Sequence, residues 1–165
     1  MGEKDAQQQT SRARGRWGKY VFVALVIVVG GAVWWVQRSD PTLTGWGGDL
    51  PAALEQARSE DRRVLVFFSD DPMNREDRQT VQRVLTHGDT RAVLEHENYV
   101  RVHLKLDGDA TAAEQFGIGS TPGFVLLSPA GEVIASHDGY LSVQGLCVTF
   151  LNASVVEARR ALSGD

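Results

Sequence analysis

The sequence predicts an α/β domain built on a mixed sheet and preceded by one membrane-spanning helix. Three observations carry that prediction. Helical and extended patterns alternate from Trp46 to Leu162. The run Val64-Leu65-Val66-Phe67-Phe68 is apolar at every position, as a strand buried on both faces must be. Residues Tyr20 to Val36, YVFVALVIVVGGAVWWV, carry no charge.

As a helix that uncharged run is about 26 Å long, short for a bilayer core but sufficient once Lys19 and Gln37 extend toward the interfaces. Trp17 and Tyr20 at one end, and Trp34 and Trp35 at the other, stand where interfacial aromatic residues collect. Lys4, Arg12, Arg14, Arg16 and Lys19 precede the run and only Arg38 follows it closely. The positive-inside bias therefore puts the N-terminus in the cytoplasm and the remainder across the membrane. A cleaved leader would share the basic start and the apolar run, with Gly30, Gly31 and Ala32 as small residues near a cleavage point. The length of the run and the two tryptophans directly after it favour an uncleaved single-pass anchor, whose partner is the lipid bilayer.

The expected organisation is a polar, disordered tail over 1–18, the anchor over 19–37, a linker over 38–45 and a globular domain over 46–163. Six of the 17 basic residues and three of the 21 acidic ones precede Pro41, which leaves the rest of the chain at a net charge of −7. That balance argues against nucleic acid as a partner, because phosphate binding draws on clustered Lys and Arg. The linker is too short to let the domain roam from the membrane surface.

Within the domain, Asp49 is placed to cap a helix beginning near Leu50, with Pro51 in its first turn and Leu50, Ala53, Leu54 and Ala57 on one face. Val64 to Ser69 is the buried strand. A helix over 73–85 is expected to turn Met73, Val81, Val84 and Leu85 inward and its charges to solvent. Asp89 is placed to cap a short helix through Leu94. Tyr99 to Leu106 alternates strictly, with Val100, Val102, Leu104 and Leu106 on one side and Tyr99, Arg101, His103 and Lys105 on the other, the pattern of an edge strand with one wet face. A short helix follows at Ala110 to Phe116. Gly123 to Leu127 and Glu132 to His137 read as strands joined by the turn Ser128-Pro129-Ala130-Gly131, hence as an antiparallel hairpin. A last helix from about Ser142 to Leu162, with Leu146, Phe150, Val155, Ala158 and Leu162 among its apolar positions, closes the domain.

This order of elements, with the opening Gly45-Trp46, Leu50, Ala53, Ala57 and Val64 to Phe68, resembles a thioredoxin-like domain of the bacterial membrane-anchored type. The segment Phe116-Gly117-Ile118-Gly119-Ser120-Thr121-Pro122, followed by Phe124 to Leu127, is similar to the family's cis-proline loop. The resemblance covers most of Trp46 to Leu162. It implies a three-layer α/β/α fold and, at a bacterial inner membrane, a domain outside the cytoplasm. It also implies where two redox cysteines should stand: at Met73 and Glu76, ends of the stretch Met73-Asn74-Arg75-Glu76. Disulfide exchange needs a thiolate to attack and a second thiol to resolve, and the only cysteine in the chain is Cys147. The expected protein is therefore not an enzyme and uses no cofactor. It holds another protein, or stabilises a membrane complex, through a peptide groove at Thr121 and Pro122, where the family pairs an extended segment with its backbone. Gly123 departs from the Thr that is common there.

Other features compete less well. Cys147 reads as a small buried hydrophobe in the last helix; the alternative is a redox protein or sensor acting through Cys147 and a partner thiol. Asp70, Asp71, Glu76 and Asp77 are read as a solvated helix start favoured by the helix dipole, since their spacing matches no calcium loop. His87, His96, His103 and His137 lack metal-ligand spacing, so no metal site is expected. No nucleophile elbow, P-loop or dinucleotide fingerprint is present.

Overall fold

The structure, a computed structural model, describes residues 43–163. The expected anchor Tyr20 to Val36, the tail and most of the linker lie outside the described residues. Among the described residues no helix is long and apolar enough to cross a membrane.

Helix α1, Leu50–Glu60, starts as its sequence dictates: Asp49 is the N-cap and its carboxylate accepts from the Ala52 amide at 3.1 Å. Strand β1, Val64–Ser69, is buried at all six positions. Helix α2, Arg75–Thr80, runs directly into a π-helical turn, Val81–Leu85, and helix α3, Gly88–His96, follows. Strand β2, Val100–Lys105, and helix α4, Ala110–Phe116, lead to the hairpin of β3, Gly123–Leu127, and β4, Val133–Asp138. The chain ends in a second π-helical turn, Gly145–Phe150, and helix α5, Val155–Ser163.

The sheet order is β2-β1-β3-β4. β1 pairs parallel with β2, while β3 is antiparallel to both β1 and β4, so the sheet is mixed as expected. The predicted turn closes the hairpin, the Ser128 amide bonding to the Glu132 carbonyl at 2.8 Å. One layer packs Leu65, Phe67, Phe124 and Leu126 against Val81, Val84, Leu94, Leu146 and Ala158. The other packs Val64, Val66, Phe68, Val125 and Leu127 against Ala53, Ala57, Ala113 and Phe116. Alternate residues of β1 thus feed two cores, which explains why that strand has no polar position before Ser69.

Four sequence expectations are corrected. The helix expected from Met73 begins at Arg75, because Asn74 caps it in extended backbone and Met73 lies buried ahead of the cap. His87 rather than Asp89 caps α3, its Nδ1 accepting from the Asp89 amide at 3.2 Å. The face of β2 expected to be wet is covered: Tyr99 is buried and His103 stacks on Phe67 with ring centroids 5.2 Å apart. Arg101 and Lys105 on the same face keep their stems half-buried at the layer's edge, as long cationic side chains do. Finally, the single closing helix is broken. Asn152 adopts φ +52° between the π-helical turn and α5, and Ser154 restarts the helix by accepting from the Glu157 amide at 3.3 Å. The shift in phase leaves Leu162, expected on the packed face, 54% exposed.

β2 is an edge strand, as its alternation suggests, yet its outer side is not bare. Gly47 bridges to it in parallel, its amide donating to the Arg101 carbonyl at 2.9 Å and its carbonyl accepting from the His103 amide at 2.8 Å. The packed domain also starts ahead of Trp46, since Leu43 already lies against the core.

Candidate functional site: the junction of the β1–α2 and Thr121–Pro122 loops

Strand β1 delivers the chain from the buried sheet into Asp70-Asp71-Pro72-Met73, and Asn74 then turns it into α2. The turn is a capping box. The Asn74 Oδ1 accepts from the Asp77 amide at 2.9 Å, and the Asp77 Oδ2 accepts from the Asn74 amide at 3.1 Å. The second loop arrives from α4, and its Thr121-Pro122 peptide is cis, as is Asp71-Pro72 in the first.

Side chains join the two loops directly. The Asn74 Nδ2 donates to the Thr121 Oγ1 at 2.8 Å and to the Asp70 Oδ2 at 2.8 Å. The Thr121 hydroxyl in turn donates to the Asp77 Oδ2 at 3.3 Å, and the Asp70 amide donates to the same oxygen at 2.9 Å. One carboxylate oxygen of Asp77 therefore gathers a backbone amide from each side of the turn and the hydroxyl of the neighbouring loop. Its other oxygen, Oδ1, is buried without a hydrogen-bond partner. Burial pushes the Asp77 carboxyl above the usual aspartate range of 3.8, only partly opposed by the two amides it accepts from.

The acidic cluster read as a uniformly solvated helix start is thus corrected. Asp71 and Glu76 are exposed and Asp70 is half-buried, whereas Asp77 is fully buried and organises the junction. The signal for it was present: Asn74 and Asp77 stand three apart at the head of an apolar-periodic stretch, the spacing of a capping box.

Of the residues singled out from the sequence, the structure brings Asn74 and Thr121 into contact and places Pro122 buried behind them. Met73 is 2% exposed, so a side chain at the first expected thiol position points into the domain. Arg75 and Glu76 are exposed in the first turn of α2. Thr121 is half-exposed, and its backbone N–H and C=O enter no hydrogen bond among the described residues. The next residues are held: the Gly139 amide donates to the Pro122 carbonyl at 2.8 Å, and Gly123 begins β3. Gly123 has a packing reason for its departure from the family. A Cβ there would stand 2.6 Å from the Ile118 Cγ2, 3.2 Å from the Ser120 carbonyl oxygen and 3.3 Å from the Phe68 Cβ.

Beside the junction lies a pair that sequence reasoning passed over. The Ser69 Oγ is 2.8 Å from the His103 Nε2, the contact a serine nucleophile makes with its base. Ser69 is fully buried, so no substrate reaches its hydroxyl. The pair ties the end of β1 to β2, and Lys105 adds to it by donating from Nζ to the Asp70 carbonyl at 3.3 Å.

Cys147 belongs elsewhere. It sits in the second π-helical turn, fully buried in the core layer that holds Leu94 and Leu146, its thiol 3.7 Å from the Thr90 Oγ1. Burial pushes that thiol up, away from the thiolate that exchange chemistry needs. Among the described residues no group of three or more His, Cys, Asp and Glu is arranged to hold a metal ion.

Comparison with known proteins agrees with this architecture. Residues 50–150 match the family model described as a thioredoxin-like domain. Comparison with curated protein sequences found no match. Among solved structures the chain is similar to a thioredoxin from Thermus thermophilus, with a TM-score of 0.55 and 24% identity over 73% of this chain and 88% of that one. It is also similar to the C-terminal domain of Neisseria meningitidis DsbD in its oxidised form, with a TM-score of 0.54 and 14% identity over 66% of this chain and 99% of that one. Both likenesses concern the fold. With a mixed sheet between two helical layers, a cis-Pro122 loop beside the head of α2 and a family match over more than half its length, the chain belongs to the thioredoxin-like domain family.

Proposed function

We propose that this protein is a membrane-tethered, redox-inactive thioredoxin-like module that holds an extended segment of another protein at the Thr121–Pro122 loop. The observation that carries the proposal is the backbone of Thr121: the residue is half-exposed and its amide and carbonyl have no partner among the described residues, on a loop fixed on one side by Asn74 and on the other by Gly139. Such a pair adds a strand from a partner by main-chain hydrogen bonds and needs no thiol. The loss of chemistry rests on composition and position together. The two expected thiol positions hold Met73 and Glu76, and the one cysteine is buried in a different part of the domain. The uncharged run Tyr20 to Val36 and its basic flank support both the tether and a module outside the cytoplasm. The alternative, redox work through Cys147, has burial and a raised thiol against it.

Two experiments test the proposal. A photo-crosslinking residue at Ser120, in the full chain in its native membrane, is expected to capture a discrete protein partner that the same residue at Gln82 does not. Equal capture from both positions overturns the groove. In an insulin-reduction assay the protein is expected to be silent; turnover that disappears in Cys147→Ser would establish the redox reading instead.

A further inference from the structure

A second site is separate from the Thr121 loop and shares no residue with it. A cavity of about 480 Å3 opens where the chain enters the domain. Its floor is apolar and includes Leu43, Trp46, Leu85 and Leu94, with Trp46 held edge-on to Phe67 at 6.3 Å between ring centroids. Its rim is charged. Arg91 and Glu95 stand one turn apart on α3, 4.0 Å from each other, and Arg101 rises from β2. Arg101 is half-buried, and its guanidinium has no hydrogen bond or ion pair among the described residues. Its guanidinium lies over Gly45, whose φ is +79°, 3.5 Å from the place a Cβ would take.

We propose that this cavity binds small organic carboxylates, with the apolar body on the Trp46 and Leu94 floor and the carboxylate on Arg101. Two guanidinium groups against one carboxylate make the rim positive in a domain whose net charge is −7. A half-buried guanidinium presents a planar fork that matches a carboxylate at two points, and leaving it unpaired wastes part of its desolvation cost. The volume falls in the range of roughly 300–1,000 Å3 that encloses small ligands.

The test is titration of the full chain in lipid nanodiscs with hexanoate, read by saturation-transfer NMR. Hexanol and hexylamine supply the same apolar body without the anion, and acetate supplies the anion without the body. Hexanoate is expected to bind saturably, and each of the other three about tenfold more weakly or worse. Arg101→Gln is expected to weaken hexanoate about tenfold and Arg101→Lys by less, since it keeps the charge and loses the fork. Trp46→Phe, which keeps the floor apolar, separates loss of the cavity from loss of the anion contact by retaining the preference for hexanoate over hexanol. Equal binding by Arg101→Gln and the parent chain, equal binding of hexylamine and hexanoate, or no saturable binding to the parent chain overturns the proposal. None of these results bears on the Thr121 groove.

Discussion

The junction of the two loops and the surroundings of Cys147 make an instructive pair. The junction has the access that disulfide exchange requires, with Thr121 half-exposed and Arg75 and Glu76 in solvent, and it has no thiol. The Cys147 pocket has a thiol and no access. Reactivity needs both in one place, because only an exposed thiolate in a favourable field attacks. What the junction kept is its polar wiring: Asn74, Thr121, Asp70 and Asp77 fix the loop geometry by side chain and leave the Thr121 backbone available.

Removing that wiring has the largest expected effect. In Asp77→Ala the amides of Asp70 and Asn74 and the hydroxyl of Thr121 lose their common acceptor. Buried donors left unpaired cost about 1–3 kcal/mol each, and relief of the carboxylate's own desolvation offsets part of that. A net loss of about 3 kcal/mol is expected in urea unfolding, with faster amide exchange in both loops. Faster exchange in the second π-helical turn instead would show that Asp77 does not act at the junction.

Gly123→Ala probes the same place through packing. The new methyl meets the Ile118 side chain and, less yieldingly, the Ser120 carbonyl. Over-packing of this kind costs about 1–3 kcal/mol. About 2 kcal/mol is expected, together with loss of the Ser120 crosslink as the Thr121 loop shifts; unchanged stability would show that the loop gives way freely.

The Cys147 pocket should respond more mildly and only to unfolding. Cys147→Ser places a hydroxyl among apolar neighbours with Thr90 as its one nearby partner, a loss of about 1 kcal/mol. In the parent chain the thiol is expected to resist an aromatic disulfide reagent under native conditions and to react fully in denaturant. Rapid native reaction would erase the contrast between the two regions.

How far these regions were legible in the sequence follows from their physics. β1, α1 and the hairpin were readable because burial on two faces, an Asp cap with Pro51 behind it and a Gly-ended turn are local signals. Cys147 was readable as buried from residue type alone. The contact between Asn74 and Thr121 has no local signal, since residues 47 positions apart leave no trace of their meeting in the sequence. Asp77 was misplaced because a carboxylate in the first turn of a helix is stabilised equally well by solvent and dipole or by a buried cap, and only tertiary packing decides. The break at Asn152 was hidden for a similar reason: the apolar positions on either side fit one helical period in sequence and two in space.

The smallest effect is the most specific to the junction. Burial raises the native pKa of Asp77 above its unfolded value near 3.8, so the native state holds this proton more tightly than the unfolded chain. The group's contribution to stability is then fully present below the unfolded value and is lost as pH rises through the native one. One such group changes stability by no more than about 1.4 kcal/mol per pH unit. Asp77→Asn keeps the shape and cannot ionise. Measured by urea unfolding across that window, the stability of the parent chain minus that of Asp77→Asn should fall as pH rises, then level off once Asp77 is ionised in both states. A difference independent of pH would mean that the amides of Asp70 and Asn74 offset the cost of burial in full, and that the orphaned Oδ1 reaches solvent. Cys147→Ser supplies the contrast, since its own difference from the parent should stay flat over the same acidic range: burial raises that thiol from an already alkaline 9.0.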